Sequence, residues 1–344
     1  MKTVMVTGAS GFFGGILKRK ILASGDRCIN VDIVRDQDEH PNLAQWQVDI
    51  RDREALDKVF ASTHIDGVVH CAAKLAHGAE DPKDLWTSNV DGTRNVMDAI
   101  RKHGIRQQVF TSSNCLWGEA MGRPVREDDE PNPVELYGRS KVEGERIIRE
   151  YGDINSVLVR CPTIIDFGRL GLLSILFEFI DEGRRVWAVG GGRNRYQFIY
   201  AQDLANACLM ALEYPGSDTF NIGSDDVKSI AEVYEYVIRN SNSKAKVATL
   251  PRGPAIAAMK LAYHLKISPL GPYHYKMIAE DFMFDTSRIK ERLGWRPTMT
   301  NEEMLWRAYR YYSENRREIE ARTDVSAHRK AANMGVIRLL KWVS

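Results

Sequence analysis

The run Thr7-Gly8-Ala9-Ser10-Gly11-Phe12-Phe13-Gly14 follows a short apolar segment at residues 3–6 and opens a helical pattern over 13–24. A strand, a turn with glycines three residues apart and then a helix leave few folds open. Gly8 permits the tight turn, Gly11 lets the backbone approach a pyrophosphate, and Gly14 allows the helix to pack closely. Ser10, Phe12 and Phe13 fill the turn between them. The helix N-terminus that follows offers unpaired N–H donors and the positive end of its dipole to an anion.

Further apolar strands are expected at 28–31, 67–70, 108–111 and 156–159, with helical patterns at 53–62, 85–103 and 137–151 between them. This alternation predicts an α/β fold, a Rossmann-type doubly wound parallel sheet covered on both faces, with a smaller C-terminal α/β substrate lobe. The expected division is a dinucleotide-binding domain over 1–162, to which 195–213 returns as a strand and helix. The lobe takes 163–194 and 214–312, and a helical, basic, amphipathic tail takes 313–344. At 344 residues the chain has room for both lobes, and its 44% hydrophobic and 27% charged residues are those of an ordinary globular protein. A formal charge of +2 gives no argument for nucleic-acid binding. Cys28, Cys71, Cys115, Cys161 and Cys208 are scattered without a Cys-x-x-Cys pair, as in reduced thiols of a cytoplasmic protein. No leader pattern is expected at the start, and no apolar run reaches the roughly 18 residues of a membrane span.

Asp32 closes the second strand, where a carboxylate accepts both hydroxyls of a ribose and repels a 2′-phosphate. Ile33 and Val34 follow it, with no arginine directly behind. The predicted cofactor is therefore NAD and not NADP. Asp49 and Ile50 stand after strand three, where they either hold the adenine or form a solvated turn. Ala72 and Ala73, after strand four, are small enough for a cofactor to pass.

Tyr137 and Lys141 are spaced i, i+4 on a predicted helix and so share a face. A phenol has an ordinary pKa near 10, and a neighbouring cation favours its phenolate form. Ser113 can hold the oxygen of a substrate alcohol or ketone beside that phenol. Alone the Tyr-x-x-x-Lys spacing is common on surface helices. Behind a nucleotide turn it marks a site that moves a hydride and a proton together. No His–Asp pair accompanies Ser113, which argues against a hydrolase triad. His64, His70, His77 and His274 lack metal-ligand spacing, and no metal site is expected.

These blocks together resemble the extended short-chain dehydrogenase/reductase superfamily, in its NAD-dependent epimerase/dehydratase branch, over about residues 1–312. The resemblance also rests on Asn89-Val90-Asp91-Gly92-Thr93, Thr111-Ser112-Ser113, Arg160-Cys161-Pro162, Phe198-Ile199-Tyr200-Ala201-Gln202-Asp203, Phe220-Asn221-Ile222-Gly223 and Leu293-Gly294-Trp295. It implies that Tyr137 is the acid/base, that Lys141 lowers its pKa and holds the nicotinamide ribose, and that Ser113 orients the reacting oxygen. Asn89 joins the cofactor set by the same resemblance. The implied activity is epimerisation of a nucleotide-linked sugar, at C4 as in the sugar 4-epimerases, through a transient ketone. A homodimer is implied as well.

Several positions depart from the branch. Asn114 and Cys115 replace the Asp-Glu pair of its dehydratases, and Cys115 also replaces the glutamate of its decarboxylases. Epimerase or simple dehydrogenase remains. Thr163 replaces an asparagine that often contacts the substrate diphosphate, and Tyr196 replaces an arginine that grips phosphate. Arg193 and Arg195 stand beside Tyr196 as substitutes or as solvated surface arginines. The run Arg160-Cys161-Pro162-Thr163 is similar to the 3β-hydroxysteroid dehydrogenase branch, which keeps an NAD(H)-dependent dehydrogenase of an apolar alcohol open. The apolar run 254–259, with Leu261 and Leu265, reads as a core helix or as the wall of a greasy substrate channel. The pattern in 329–344 fits a helix docked on its own protein or a twin subunit, or one lying at a membrane surface. An epimerase of a lipid-linked sugar also stays open on these features.

Overall fold

The computed structural model describes residues 1–75, 81–265, 267 and 278–321. The segment 329–344, singled out for its amphipathic pattern, lies outside them, as do His77 and His274.

The first half runs β1 (Thr3–Thr7), α1 (Phe12–Ala23), β2 (Arg27–Asp32), β3 (Leu43–Gln47), α2 (Arg53–Ala61), β4 (Gly67–His70) and α3 (Pro82–Trp86). A π-helical turn, Thr87–Asp91, leads into α4 (Gly92–Lys102), followed by β5 (Gln107–Ser113), α5 (Leu136–Arg149) and β6 (Asn155–Cys161). The second half runs β7 (Thr163–Ile165), α6 (Leu173–Asp181), β8 (Arg185–Val189), β9 (Phe198–Tyr200), α7 (Ala201–Leu212) and β10 (Asp218–Asn221). It ends with α8 (Ile230–Asn240), β11 (Lys246–Leu250), α9 (Arg252–His264), α10 (Ser287–Leu293) and α11 (Asn301–Ala321).

Seven parallel strands form the central sheet in the order β10-β6-β5-β4-β1-β2-β3. Strand alternation assigns the two faces. Val4 and Val6 pack with α1 and α7 on one side, while Met5 between them packs with α2, α4 and α5 on the other. A parallel sheet buried on both faces needs such apolar runs, and Met5, Val6, Val68 and Val69 have no exposed surface. The order reverses between β1 and β4. The C-terminal ends of those two strands are therefore where a crevice opens.

The returning segment matches the expectation in part: β9 pairs with β7 outside the central sheet, and α7 packs on its face. Residues 214–312, expected in the lobe, send their first strand back. β10 pairs with β6 at the sheet edge, and Ile289 and Trp295 join the same apolar cluster as α1 and α7. The lobe itself is built on α6, α8, α11 and the pair β8–β11, around Phe177, Val233, Val237, Leu305 and Tyr312.

One buried ion pair ties α5 to the sheet. Arg160 on β6 donates through Nε and a terminal nitrogen to both oxygens of Glu145 on α5, at 2.9 and 2.7 Å. The Ser112 hydroxyl adds a third bond to Glu145 at 2.6 Å, and Arg160 also donates to the Glu127 carbonyl at 2.7 Å. Burial pushes the Glu145 carboxyl up, but the Arg160 and Ser112 contacts outweigh it and hold the pKa below the usual value. Both residues are almost wholly buried. Arg160→Met leaves the buried Glu145 carboxylate with Ser112 and the half-exposed Arg149 (3.1 Å) as its remaining partners, so the unfolding free energy from urea titration should fall by about 3 kcal/mol. The double change with Glu145→Leu should recover part of that loss.

Candidate active site

The turn after β1 has the geometry the glycine spacing requires. Gly8 has φ +79°, and a Cβ there would stand 2.9 Å from the Ala72 backbone; a Cβ on Gly14 would stand 2.1 Å from the Gly8 carbonyl oxygen. No side chain can enter either place without moving backbone, so the turn stays an open cradle at the start of α1. Asp32 sits beside it and accepts from the backbone N–H groups of Ser10 and Val34, each at 3.0 Å. Burial raises the Asp32 pKa, opposed by those two donors. Lys18, wholly buried on α1, pairs with Asp36 and with Asp38 at 2.8 Å, which fastens the loop after β2. Arg19 also reaches Asp38 at 3.3 Å, and Arg35 joins Asp36 and Asp38 on this part of the wall.

The cradle is one end of a cleft of about 1770 Å³ that continues past the ends of β4, β5 and β6 into the lobe. Gly8, Ser10, Gly11, Phe12, Phe13 and Gly14 line its first part, joined by Asp32, Asp49, Ile50, Ala72 and Ala73. Asp49 is held by Arg51 through a paired contact, closest at 2.6 Å. Asn89 is not on the wall. It stands one layer back, where its amide bonds both the N–H and the carbonyl of Lys74 and the Ser140 hydroxyl. His70 lies under the floor between Thr7 (2.6 Å) and Thr93 (2.9 Å), and burial lowers its pKa to about 3, so it is neutral. Among the described residues no group of His, Cys, Asp and Glu could hold a metal ion.

Ser113, Tyr137 and Lys141 meet where the cradle opens into the lobe. Ser113 ends β5, and its side chain accepts from the Cys115 N–H at 3.1 Å. Tyr137 and Ser113 line the same stretch of the cleft, and the Ser113 hydroxyl favours the ionised form of the phenol. α5 lies against the turn at Asn114–Leu116 so closely that a Cβ on Gly138 would be 2.2 Å from the Cys115 carbonyl oxygen. That glycine, next to Tyr137, sets the phenol's distance from Ser113. Burial raises the Tyr137 pKa, against the Ser113 hydroxyl and the charge of Arg169. The expected cation, Lys141, points its Nζ at the Thr111 carbonyl (2.8 Å), 4.4 Å over the Phe110 ring. Burial lowers its pKa to about 8.

Three of the expected substrate residues form a chain beside this pair. Asn114 donates to the Tyr196 hydroxyl at 2.9 Å, and that hydroxyl bonds Thr163 at 3.0 Å. The structure does not bring Arg193 and Arg195 to the cleft. The glycine turn 190–192, positive in φ throughout, leaves both exposed, and alternation along the chain buries Tyr196 instead. Arg169, which is not among the expected residues, is the charged side chain on this part of the wall. It lines the cleft, its Nε has no hydrogen-bond partner, and burial lowers its pKa to about 10. Only its place shortly after Arg160-Cys161-Pro162 could have pointed to it.

A dinucleotide cradle meeting Ser, Tyr and Lys at a sheet switch point defines a nucleotide-dependent enzyme of the extended short-chain dehydrogenase/reductase type. Residues 4–223 match the model of the NAD dependent epimerase/dehydratase family. The uncharacterised protein y4nG of Sinorhizobium fredii is 35% identical over 99% of this chain and 86% of its own length. UDP-glucose 4-epimerase 2 of Oryza sativa is 28% identical over 75% of this chain and 74% of its own. Among solved structures, the UDP-glucose 4-epimerase of Thermotoga maritima with UDP-glucose superposes with TM-score 0.74 at 22% identity, covering 91% of this chain and 99% of that one. A UDP-glucose-4-epimerase of Stenotrophomonas maltophila, with bound NAD and formylated UDP-arabinopyranose, gives 0.76 at 20% identity, covering 92% and 100%. The chain belongs to the NAD dependent epimerase/dehydratase family.

The lowered Lys141 pKa has a consequence for stability. Between about pH 8 and 10.5 the unfolded chain holds a proton on this lysine that the folded one has released. Its contribution therefore rises with pH across that window and is lost as pH falls through 8. From pH 7.5 to about pH 9.5, urea midpoints of the wild type should rise relative to those of Lys141→Met.

Proposed function

We propose that the protein is an NAD-dependent epimerase that inverts a secondary alcohol of a carrier-linked sugar. The Ser113, Tyr137 and Lys141 side chains, brought together on the cleft wall at the mouth of the glycine cradle, carry this reading. Bound NAD supplies a hydride acceptor and donor at that point. The N–H groups of the turn from Gly8 to Gly14 hold its diphosphate, and Asp32 takes the adenosine ribose hydroxyls. Asp49 and Ile50 would flank the adenine, Ala72 and Ala73 would leave space for the chain of the dinucleotide, and Lys141, held at the Thr111 carbonyl, would stand beside the second ribose.

Tyr137, as phenolate, removes the proton from the substrate hydroxyl while Ser113 donates to the same oxygen. Arg169 and Ser113 both favour the phenolate over the phenol. The ketone then turns its other face, and Tyr137 returns the proton. Substrate and product have the same oxidation state, so the cofactor stays bound. Asn114 and Cys115 stand where a dehydratase needs an acid and a base for neighbouring carbons, which supports inversion without elimination. The names of the rice relative and of the UDP-glucose 4-epimerase of Lacticaseibacillus casei, 28% identical over 64% of this chain, support inversion at C4; UDP is the carrier those names give for those two proteins. One observation favours a second reading, net NAD(H)-dependent oxidation of an apolar alcohol: the lobe half of the cleft is walled by leucine, phenylalanine and tryptophan.

The test is mass spectrometry of the purified protein under native and then denaturing conditions, followed by turnover assays. Release of NAD on denaturation, with inversion at C4 and no steady NADH absorbance, is the expected result. Stoichiometric NADH would replace the epimerase with the dehydrogenase. Tyr137→Phe should lower turnover by about 10²–10⁴-fold with NAD still bound. Turnover at the wild-type rate would overturn the assigned mechanism. Asp32→Ala should weaken NAD binding about 10–100-fold, the cost of charge-assisted hydrogen bonds, as measured by calorimetry.

A further inference from the structure

We propose that the carrier of the reacting sugar is a single apolar chain joined through a phosphate, seated in the lobe half of the cleft beneath α9, and not a nucleoside diphosphate. This rests on the epimerase reading for the chemistry at Tyr137, but its evidence lies in a different part of the cleft.

The two halves of the cleft differ in chemistry. Around the cradle the walls carry Asp32, Asp36, Asp38, Asp49, Lys74 and Asp84. From Thr163 onward Arg169 is the one charged side chain among the described lining residues. The remaining polar side chains there are few, and Thr163 and Tyr196 already bond each other. On α6, Leu173, Leu176 and Phe179 recur every three residues and face the cleft, opposite Trp187 and Val189 of β8. A diphosphate and a pyrimidine need several donors and acceptors at fixed places, and beyond Arg169 this wall offers little more than the Tyr234 hydroxyl and the Trp187 indole.

α9 gives the second argument. An apolar helix face is ordinarily covered by a core. Pro254, Ala255, Ala258, Met259 and Ala262 form one face of α9, and all line the cleft, yet Ala262 is its one buried residue. Among the described residues the face looks into the cleft space and not onto packed side chains, so an apolar occupant completes it. Beyond Ala262 the band continues to the surface. Leu261, Leu265 and Ile267 are 62%, 58% and 47% exposed, which gives a longer chain an apolar way out.

Arg169 fixes the polar end. It lines the cleft with its guanidinium 5.8 Å from the centre of the Phe12 ring, its charge is felt by both Tyr137 and Tyr196, and its Nε–H is buried without a hydrogen-bond partner. One guanidinium matches one phosphate linking sugar to chain.

The full-length protein with its NAD would be titrated calorimetrically with farnesyl phosphate, farnesol, inorganic phosphate and UDP. Farnesyl phosphate should bind at least about tenfold tighter than each of the others, a difference worth about 1.4 kcal/mol, and UDP should not displace it. Ala258→Glu and Met259→Glu, both on the uncovered face of α9, should each weaken farnesyl phosphate at least about tenfold with NAD content unchanged. Arg169→Gln should reduce its affinity to that of farnesol. Tighter binding of UDP, or affinity for farnesyl phosphate untouched by both α9 variants, would overturn the inference even if UDP-sugars are epimerised. If farnesyl phosphate binds as expected but a farnesyl-phosphate-linked sugar is never inverted, the epimerase reading fails and the carrier assignment stands.

Discussion

The bidentate contact between Arg160 and Glu145 is the interaction on which the reactive half of the molecule depends. It joins β6 to α5 at a depth where neither charge has water to fall back on, so the partners must stay together. Glu145 is one helical turn beyond Lys141 and two beyond Tyr137, and fixing it fixes the face of α5 that meets the cleft. The same carboxylate holds the Ser112 hydroxyl, next in sequence to Ser113. One ion pair therefore steadies the elements that carry both Ser113 and Tyr137. Gly138 sets the third dimension by letting α5 press against the Cys115 carbonyl. The value of a buried pair in such a place lies less in net stability than in the single geometry it allows.

Around that fixed point the cleft joins two environments. The cradle side is made of backbone N–H groups and carboxylates, which recognise a charged, hydroxylated ligand by direction. The lobe side is made of aliphatic and aromatic walls, which recognise an occupant by shape and lack of charge. Tyr137 lies at the border, and its phenol is pulled both ways. Burial beside Cys115 and Cys161 favours the neutral form, while Ser113 and Arg169 favour the ionised one. The cation that the sequence pairs with Tyr137 is instead spent on the Thr111 carbonyl and the Phe110 ring. Spacing placed Lys141 on the right face of the helix. The direction of a four-carbon side chain was decided by what packed around it.

Much of the fold was legible because it follows from local rules. Glycines at three-residue spacing between a strand and a helix have one economical conformation. Val4, Met5 and Val6 are apolar on consecutive residues because both faces of a parallel strand are buried. Asp32 was legible for a similar reason: it closes a strand whose neighbour is the glycine turn. β10 escaped notice as a sheet member, since its four residues carry no pattern that separates an edge strand of the main sheet from one in the lobe. Asn89 was placed with the cofactor residues by resemblance, but its amide is used to hold the backbone at Lys74, one layer behind the wall.

The substrate end divides along the same line. The sequence by itself determined the class of fold, the cradle, the Ser-Tyr-Lys set and the loss of the usual phosphate-gripping residues at Thr163 and Tyr196. These are statements about residue type at a fixed local spacing, which one chain segment can carry alone. Only the tertiary structure decided that Arg193 and Arg195 face solvent, that Arg169 lies on the cleft wall with its Nε unpartnered, and that among the described residues one face of α9 looks into the cleft space. Each of those depends on which surfaces meet across the fold. Burial, desolvation and an uncovered apolar face are properties of that meeting, and no spacing within a single segment encodes them.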